Sequence, residues 1–130
     1  MPPTLQENYK MREMLCEHSI TIADPDETGA VGTLEAYWQP PFGITVVAVS
    51  VAPRDDDTGA TLDIDDDGTN VITAVDASDA NVPGTWLTPG FGGTNTPVKI
   101  AANSKIAFDF NNAAAANAFF VSVWYLVGEA

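Results

Sequence analysis

Residues 60–75 constrain the fold of this chain more than any other stretch. Both arms alternate apolar and polar residues around Asp67-Gly68, which predicts two antiparallel strands joined by a tight turn. Two turns fit: a type I′ turn at Asp67-Gly68, and a type I turn over residues 65–68 with Gly68 in a left-handed bulge position. We favour the second, because Asp is preferred at the first position of a type I turn and Gly at the last. It places Leu62 opposite Ile72.

The rest of the chain predicts an all-β fold. Its 130 residues fit one domain, and Thr, Val, Gly, Pro and Asn dominate after residue 20. Further strands are predicted at residues 19–23, 33–38, 44–52, 98–101, 104–110 and 119–127, while residues 76–97 read as a long loop. We therefore expect a jelly-roll-like β-sandwich of about eight antiparallel strands over residues 18–130, with the fourth strand beside the fifth and the third beside the last.

The N-terminal residues 1–17 are predicted to form a short helical arm. A helix over residues 5–16 has Thr4 and Glu7 at the spacing of a capping box. Two interpretations stay open: the helix packs on its own domain, or it docks on a neighbouring subunit. In the second case the interface residues are Leu5, Tyr9, Arg12 and Leu15.

Two predicted strands, residues 44–52 and 119–127, are apolar on both faces. A strand with one face in water alternates apolar with polar residues. In a jelly roll these two strands are neighbours, so their outer faces would form one exposed apolar patch, which usually marks an interface. The candidate interface residues are Val47, Val49, Val51, Phe120, Trp124 and Leu126.

Charge and targeting signals narrow the classes of partner. The net charge of −13 repels phosphate, so we expect neither nucleic acid nor a membrane as a partner. Cys16 is the single cysteine, which rules out a disulfide framework. The polar N-terminus has no apolar signal-peptide core, which predicts synthesis in a cytoplasm.

The hairpin also carries the pattern Asp63-x-Asp65-x-Asp67-Gly68, which begins like a calcium-binding EF-hand loop. Ala74 stands at the twelfth position, where a bidentate Glu belongs. We therefore interpret these acids as a solvated hairpin tip, with no cofactor or metal, and keep calcium as the alternative.

Catalysis has little support in the sequence. His18 is the single histidine, and none of the candidate serines has a nucleophile-elbow pattern around it. Trp86 and Phe91, in the Gly-rich segment, are candidate ligand-facing aromatics of a carbohydrate- or receptor-binding module. Packing at the end of the sandwich is the other interpretation of these two side chains.

Three segments together carry a family resemblance. They are Ile-Thr-Val-Val-Ala-Val-Ser-Val-Ala-Pro, then Thr-Leu-Asp-Ile-Asp-Asp-Asp-Gly-Thr-Asn-Val-Ile, and, after the Gly-rich stretch, Val-Lys-Ile-Ala-Ala-Asn-Ser-Lys-Ile-Ala-Phe-Asp-Phe. The pattern resembles the small β-sandwich decoration (cement) proteins of tailed-phage heads, over roughly the last two-thirds of the chain. Fibre and tail modules of phages share it.

The resemblance implies a non-enzymatic structural protein of the virion. Such a protein binds the outer surface of a capsid, with the major capsid protein as its partner, and is often a homotrimer that stabilises the joints between capsid subunits. A carbohydrate- or receptor-binding module of a phage fibre or tail is the alternative function.

Overall fold

A computed structural model describes residues 15–22, 33–113 and 118–128. In these ranges the chain forms nine strands and one short 3₁₀ helix, η1, at Pro89–Phe91. The strands are β1 (Leu15–Ile22), β2 (Thr33–Trp38), β3 (Ile44–Pro53), β4 (Thr61–Asp66), β5 (Thr69–Asp76), β6 (Gly84–Leu87), β7 (Val98–Ile100), β8 (Ile106–Asn111) and β9 (Phe119–Val127). In this described part, no helix has the length and hydropathy needed to cross a membrane.

The strands form two antiparallel sheets that pack as a sandwich. Sheet A has the order β1-β9-β3-β6, with β7 also paired to β3, and sheet B has the order β2-β8-β4-β5. This is the alternating order of a jelly roll, in which consecutive strands mostly fall in opposite sheets. The all-β, jelly-roll-like prediction is confirmed, and so are the two predicted neighbours, β4 beside β5 and β3 beside β9.

Strands β6 and β7 are two halves of one edge strand. β6 pairs with residues 48–51 of β3, and β7 continues in the same direction along residues 44–46. Residues 88–97 leave the sheet between the two halves. The prediction of a long loop over residues 76–97 was therefore wrong, because this segment contains β6 and η1.

A β-bulge in β3 reverses the faces of the strand. The pairing with β9 shifts between Val46 and Ala48, so Val47 is an extra residue with no partner of its own. Its carbonyl oxygen accepts hydrogen bonds from Thr88 N at 3.2 Å and Thr88 Oγ1 at 2.7 Å, which fastens the start of the 88–97 excursion to the bulge. Val46 and Val49 both face the core as a result, whereas strict alternation would place them on opposite faces.

The β4–β5 hairpin forms with the tighter of the two predicted turns. Asp66 pairs with Thr69, and the two residues between them have positive φ, 47° for Asp67 and 89° for Gly68. Positive φ at both central positions defines a type I′ turn, whose twist matches that of the flanking strands. The favoured type I turn was wrong. Two register shifts beyond the turn, one on each side of Ile64, then pair Ile64 with Ile72 and Leu62 with Val75.

The core lies between the sheets, and aromatic contacts join them. Phe110 of β8 stacks on Phe119 of β9 with ring centroids 5.0 Å apart, and both side chains are fully buried. Trp38 of β2 packs on Tyr125 of β9 at 5.1 Å. Ile106, Phe108 and Phe110 alternate along β8 and point into this core, with exposures of 2% or less.

Sheet A begins before the expected domain boundary at residue 18. Leu15 and Cys16, predicted as the end of a helix, pair with Leu126 and Tyr125 as part of β1. The helix prediction is wrong for these two residues, because β1 uses them to complete its ladder with β9. The rest of the predicted arm, residues 1–14, lies outside the described residues.

Candidate functional site

The outer face of sheet A is the first candidate surface. Phe119, Val121, Val123 and Tyr125 point into the core, so the alternating residues Phe120, Trp124 and Leu126 lie on the outer side. Phe120 keeps 47% of its surface exposed, and Trp124 and Leu126 are partly exposed. The three interface candidates of β9 therefore lie on the same accessible face of sheet A.

The prediction for β3 was wrong, because the bulge turns two of its three candidates inward. Val49 and Val51 are both 0% exposed and belong to the core, and Val47 is 8% exposed at the bulge itself. The outer positions of β3 hold small residues instead. Ala48 pairs with Trp124, and Ala52 pairs with Phe120. Large side chains on β9 thus stand beside small ones on β3, of which Ala48 is covered and Ala52 is partly exposed.

The other interface candidates have different outcomes. Leu5, Tyr9 and Arg12 lie outside the described residues, and Leu15 is in the edge strand β1. At the far side of the sheet, Leu87 of β6 is partly exposed and pairs with Ala48. The outer face of sheet A is hereafter the set Ala48, Ala52, Leu87, Phe120, Trp124 and Leu126.

The outer face of sheet B is the second candidate surface, and it is acidic. Asp109 of β8 lies directly between Glu35 of β2 and Asp63 of β4 in the strand register. Asp65, two residues after Asp63, is a diagonal neighbour of Asp109. Like charges placed directly opposite each other destabilise a sheet, so this arrangement needs either a proton or solvent to offset the repulsion.

Burial and the neighbouring carboxylates raise the pKa of Asp109 to about 6. Loss of solvent is the largest cause, and a side-chain hydrogen bond with Asp65 and the negative charges of Asp65, Glu35 and Asp63 add to it. The oxygens Asp65 Oδ1 and Asp109 Oδ1 are both buried and find no donor among the described residues. The interpretation of these hairpin acids as fully solvated was therefore wrong for Asp65.

A cleft of about 440 Å³ lies beside this carboxyl pair. Lys105 Nζ sits 4.4 Å above the ring of Tyr37, and the Tyr37 hydroxyl donates a hydrogen bond to Glu35 Oε2. That bond is the main reason why the pKa of Tyr37 is raised. The lysine covers one face of the ring, so Tyr37 does not present a free platform on that side. The cleft is lined by Glu35, Tyr37, Asp65, Asp67, Gly68, Lys105 and Ala107.

The three aspartates of the calcium alternative have separate partners. Asp63 Oδ1 accepts a hydrogen bond from Ala74 N at 2.7 Å, and Asp67 Oδ1 accepts one from Lys105 N at 2.8 Å. In the described part of the chain no three carboxylate, imidazole or thiol groups lie close enough to hold a metal ion. Asp63 and Asp67 therefore act as local acceptors that fix the hairpin against its neighbours.

The acidic loop between β3 and β4, residues 54–60, also has a structural role. Asp57 is 1% exposed, and Asp57 Oδ1 accepts a hydrogen bond from Ala113 N at 3.2 Å. Asp56 Oδ1 accepts one from Ala80 N at 2.8 Å. This loop precedes β4 whereas the turn follows it, so the two groups of acids lie at opposite ends of one strand.

The candidate ligand-facing aromatics do not form a shared platform. Trp86 pairs with the core residue Val49 and packs against the core. Phe91, in η1, is 40% exposed. The packing interpretation holds for Trp86, so a carbohydrate site that uses both rings has no support in the geometry.

Comparison with known proteins gives no family for this chain. No protein-family model matches it, and no curated protein matches it. Among solved structures, it is similar to dimeric latent PorU from Porphyromonas gingivalis, with 15% identity and a TM-score of 0.35. The match covers 87% of this chain and 12% of that one, and so weak a likeness carries no functional argument.

Proposed function

We propose that this chain is a structural virion protein that binds the outer surface of a phage capsid and stabilises it, without catalysis. The observation that carries the proposal is the outer face of sheet A. On β9 it holds the apolar side chains of Phe120, Trp124 and Leu126, all at least partly open to solvent, with Ser122 between the first two. Contiguous exposed apolar patches usually mark interfaces with proteins or membranes.

The distribution of charge also supports docking through sheet A, with sheet B facing away from the capsid. The carboxylates of Glu35, Asp63, Asp65 and Asp109 lie on the outer side of sheet B, and the apolar patch lies on the outer side of sheet A. When sheet A docks, the acidic side faces solvent, where its charge is best screened and where it keeps particles apart. The net charge of −13 fits a protein displayed on a particle.

The partner in this proposal is the major capsid protein, and the protein acts as a homotrimer on the capsid. Both statements come from the resemblance of the strand–turn pattern to phage decoration proteins. The N-terminal residues belong to the proposal as a second contact. Since β1 begins at Leu15, a deletion that tests them must end at residue 14 to keep the ladder with β9 intact.

Co-sedimentation with assembled heads of the phage that encodes the chain tests the proposal. Phe120→Glu puts a charge on the most exposed side chain of the apolar face, and we expect at least tenfold weaker binding to heads. Phe91→Glu is the matched control, because Phe91 has a similar exposure of 40% but lies outside that face, and it should bind like the wild type.

Three results would count against the proposal. One is unchanged binding of Phe120→Glu when thermal melting confirms that the variant is folded. A second is equal loss of binding in both Phe variants, which would point to non-specific adhesion. The third is a wild-type chain that does not sediment with heads at all. The trimer is tested separately by analytical ultracentrifugation of the free protein and of protein released from heads.

A further inference from the structure

The outer side of sheet B brings two buried carboxyl oxygens to neighbouring strands. Asp65 of β4 is the diagonal neighbour of Asp109 of β8, since Asp63 pairs with Asp109 and Asp65 with Ala107. Their Oδ1 atoms are buried and have no N–H or O–H donor among the described residues. An ionised carboxylate only accepts hydrogen bonds. A proton on one of the two groups supplies the missing donor and satisfies both oxygens.

We propose that Asp65 and Asp109 share one proton, and that its loss makes the junction of β4 and β8 a pH-sensitive element of the fold. With the proton bound, a carboxyl–carboxylate hydrogen bond ties the two strands together. When it leaves for solvent, two negative charges face each other where β4 meets β8. This inference is independent of the proposed function.

The surroundings of the pair favour the protonated form. Every strand that packs beside Asp109 brings further acid: Glu35 is opposite on β2 and Asp63 is opposite on β4. The positive charge in the adjoining cleft, that of Lys105, is held over the Tyr37 ring. The titratable groups around the pair are therefore Glu35, Tyr37, Asp63, Asp67 and Lys105.

The direction of the pH effect follows from proton linkage. A carboxyl whose pKa is higher in the folded state binds a proton that the unfolded chain has already released. For Asp109 that window runs from its ordinary value of 3.8 to about 6. The stabilising effect of the proton is complete below the window and is lost as the pH rises through 6. Above it, the folded state carries the repulsion without the proton.

Titration of the side-chain carboxyl carbons by NMR tests the shared proton directly in the full chain. We expect the Asp109 signal to titrate near pH 6. Asp65→Asn removes the neighbouring carboxyl group and should move this titration toward the ordinary value of 3.8. Titration of Asp109 near its ordinary value in the wild type, or at an unchanged pH in Asp65→Asn, would overturn the proposal.

Urea unfolding at pH 4.5 and pH 7.5 tests the consequence for stability. Asparagine keeps the shape, removes one charge and donates a hydrogen bond, so Asp109→Asn should be stabilised relative to the wild type at pH 7.5. We expect the unfolding constant to fall about tenfold there, since a raised pKa stores free energy of this order after solvent screening. At pH 4.5 the advantage should largely disappear.

Glu17→Gln is the control for net charge, because Glu17 lies on exposed β1 of the other sheet. It removes the same charge without touching the pair, and it should show no such difference between the two pH values. The proposal fails if Glu17→Gln matches Asp109→Asn, or if the effect of Asp109→Asn is the same at both pH values. If Asp109→Asn does not fold, Asp65→Asn serves as the second variant with the same expected pattern.

Discussion

The imidazole ring of His18 stacks on the indole ring of Trp38, with ring centroids 4.2 Å apart and an angle of 6° between the planes. His18 belongs to β1 in sheet A, and Trp38 belongs to β2 in sheet B. The contact therefore joins the two sheets, and Trp38 extends it to Tyr125. A short chain of aromatic rings thus closes this side of the sandwich.

The His18–Trp38 stack predicts a second pH dependence, opposite in sign to that of Asp109. Burial lowers the pKa of His18 below its ordinary 6.5, so the unfolded chain takes up a proton before the folded one does. Stability should fall as the pH drops below 6.5 and recover as it rises. His18→Phe keeps a stacking ring and should remove this dependence, as measured by urea midpoints at pH 5 and pH 8. Equal midpoint differences in the two proteins would contradict it.

Gly84 is a position where a side chain does not fit. A Cβ atom there would lie 1.6 Å from the carbonyl oxygen of Asp76, which is backbone and cannot swing aside. Gly84→Ala should lower the free energy of unfolding by more than about 3 kcal/mol. Gly90→Ala is the matched control, because no atom lies within 4 Å of its added Cβ. Its effect should stay within about 0.5 kcal/mol in chemical denaturation.

Thr88 supports the bulge through its hydroxyl group. The side chain is 3% exposed and donates to the carbonyl oxygen of Val47 at 2.7 Å. Thr88→Val keeps the shape but removes this donor, and we expect a loss of about 1–2 kcal/mol. Thermal melting of the variants checks this. Thr85→Val, at an exposed position of β6, is the control and should be nearly neutral. A neutral Thr88→Val would show that the backbone N–H of Thr88 holds the bulge without help.

Ala74 has a left-handed backbone, with φ of 55°. Its N–H donates to Asp63 Oδ1, which holds β5 in this conformation. Since residues with a Cβ atom are strained there, Ala74→Gly should be neutral or stabilise the protein by up to about 1 kcal/mol. Ala107→Gly, in the regular strand β8, should be destabilising by a similar amount. A clear loss of stability in Ala74→Gly, measured by urea unfolding, would contradict the strain argument.

The sequence predicts the strands well where alternation is clean and one face is wet. β4 and β8 are examples. The turn type could not be predicted from residue preference alone, because Asp65 favours a type I turn whereas the twist of the paired strands favours type I′. The sequence gives no sign of the bulge either: Val46, Val47 and Ala48 contain no Gly or Pro to mark it.

That Asp65 and Asp109 are neighbours could not be predicted from the sequence, for a different reason. Asp65 and Asp109 are far apart along the chain, and each by itself reads as an outward polar residue of an alternating strand. Their contact depends on the register of β4 against β8, which follows from tertiary packing and not from local pattern. The sequence did contain one signal for this pair: both strands carry outward-facing acids, and the jelly-roll order makes those strands neighbours.

The extra residue at Val47 changes which residues of β3 face the core: the even-numbered ones before it and the odd-numbered ones after it. Deleting Val47 would remove the extra residue, so β3 would alternate regularly and Ile44, Val46, Val49 and Val51 would all still face the core. The deletion would, however, remove the carbonyl oxygen that accepts both hydrogen bonds from Thr88. We therefore expect the sandwich to fold without this residue, and the 88–97 excursion to lose its attachment to β3.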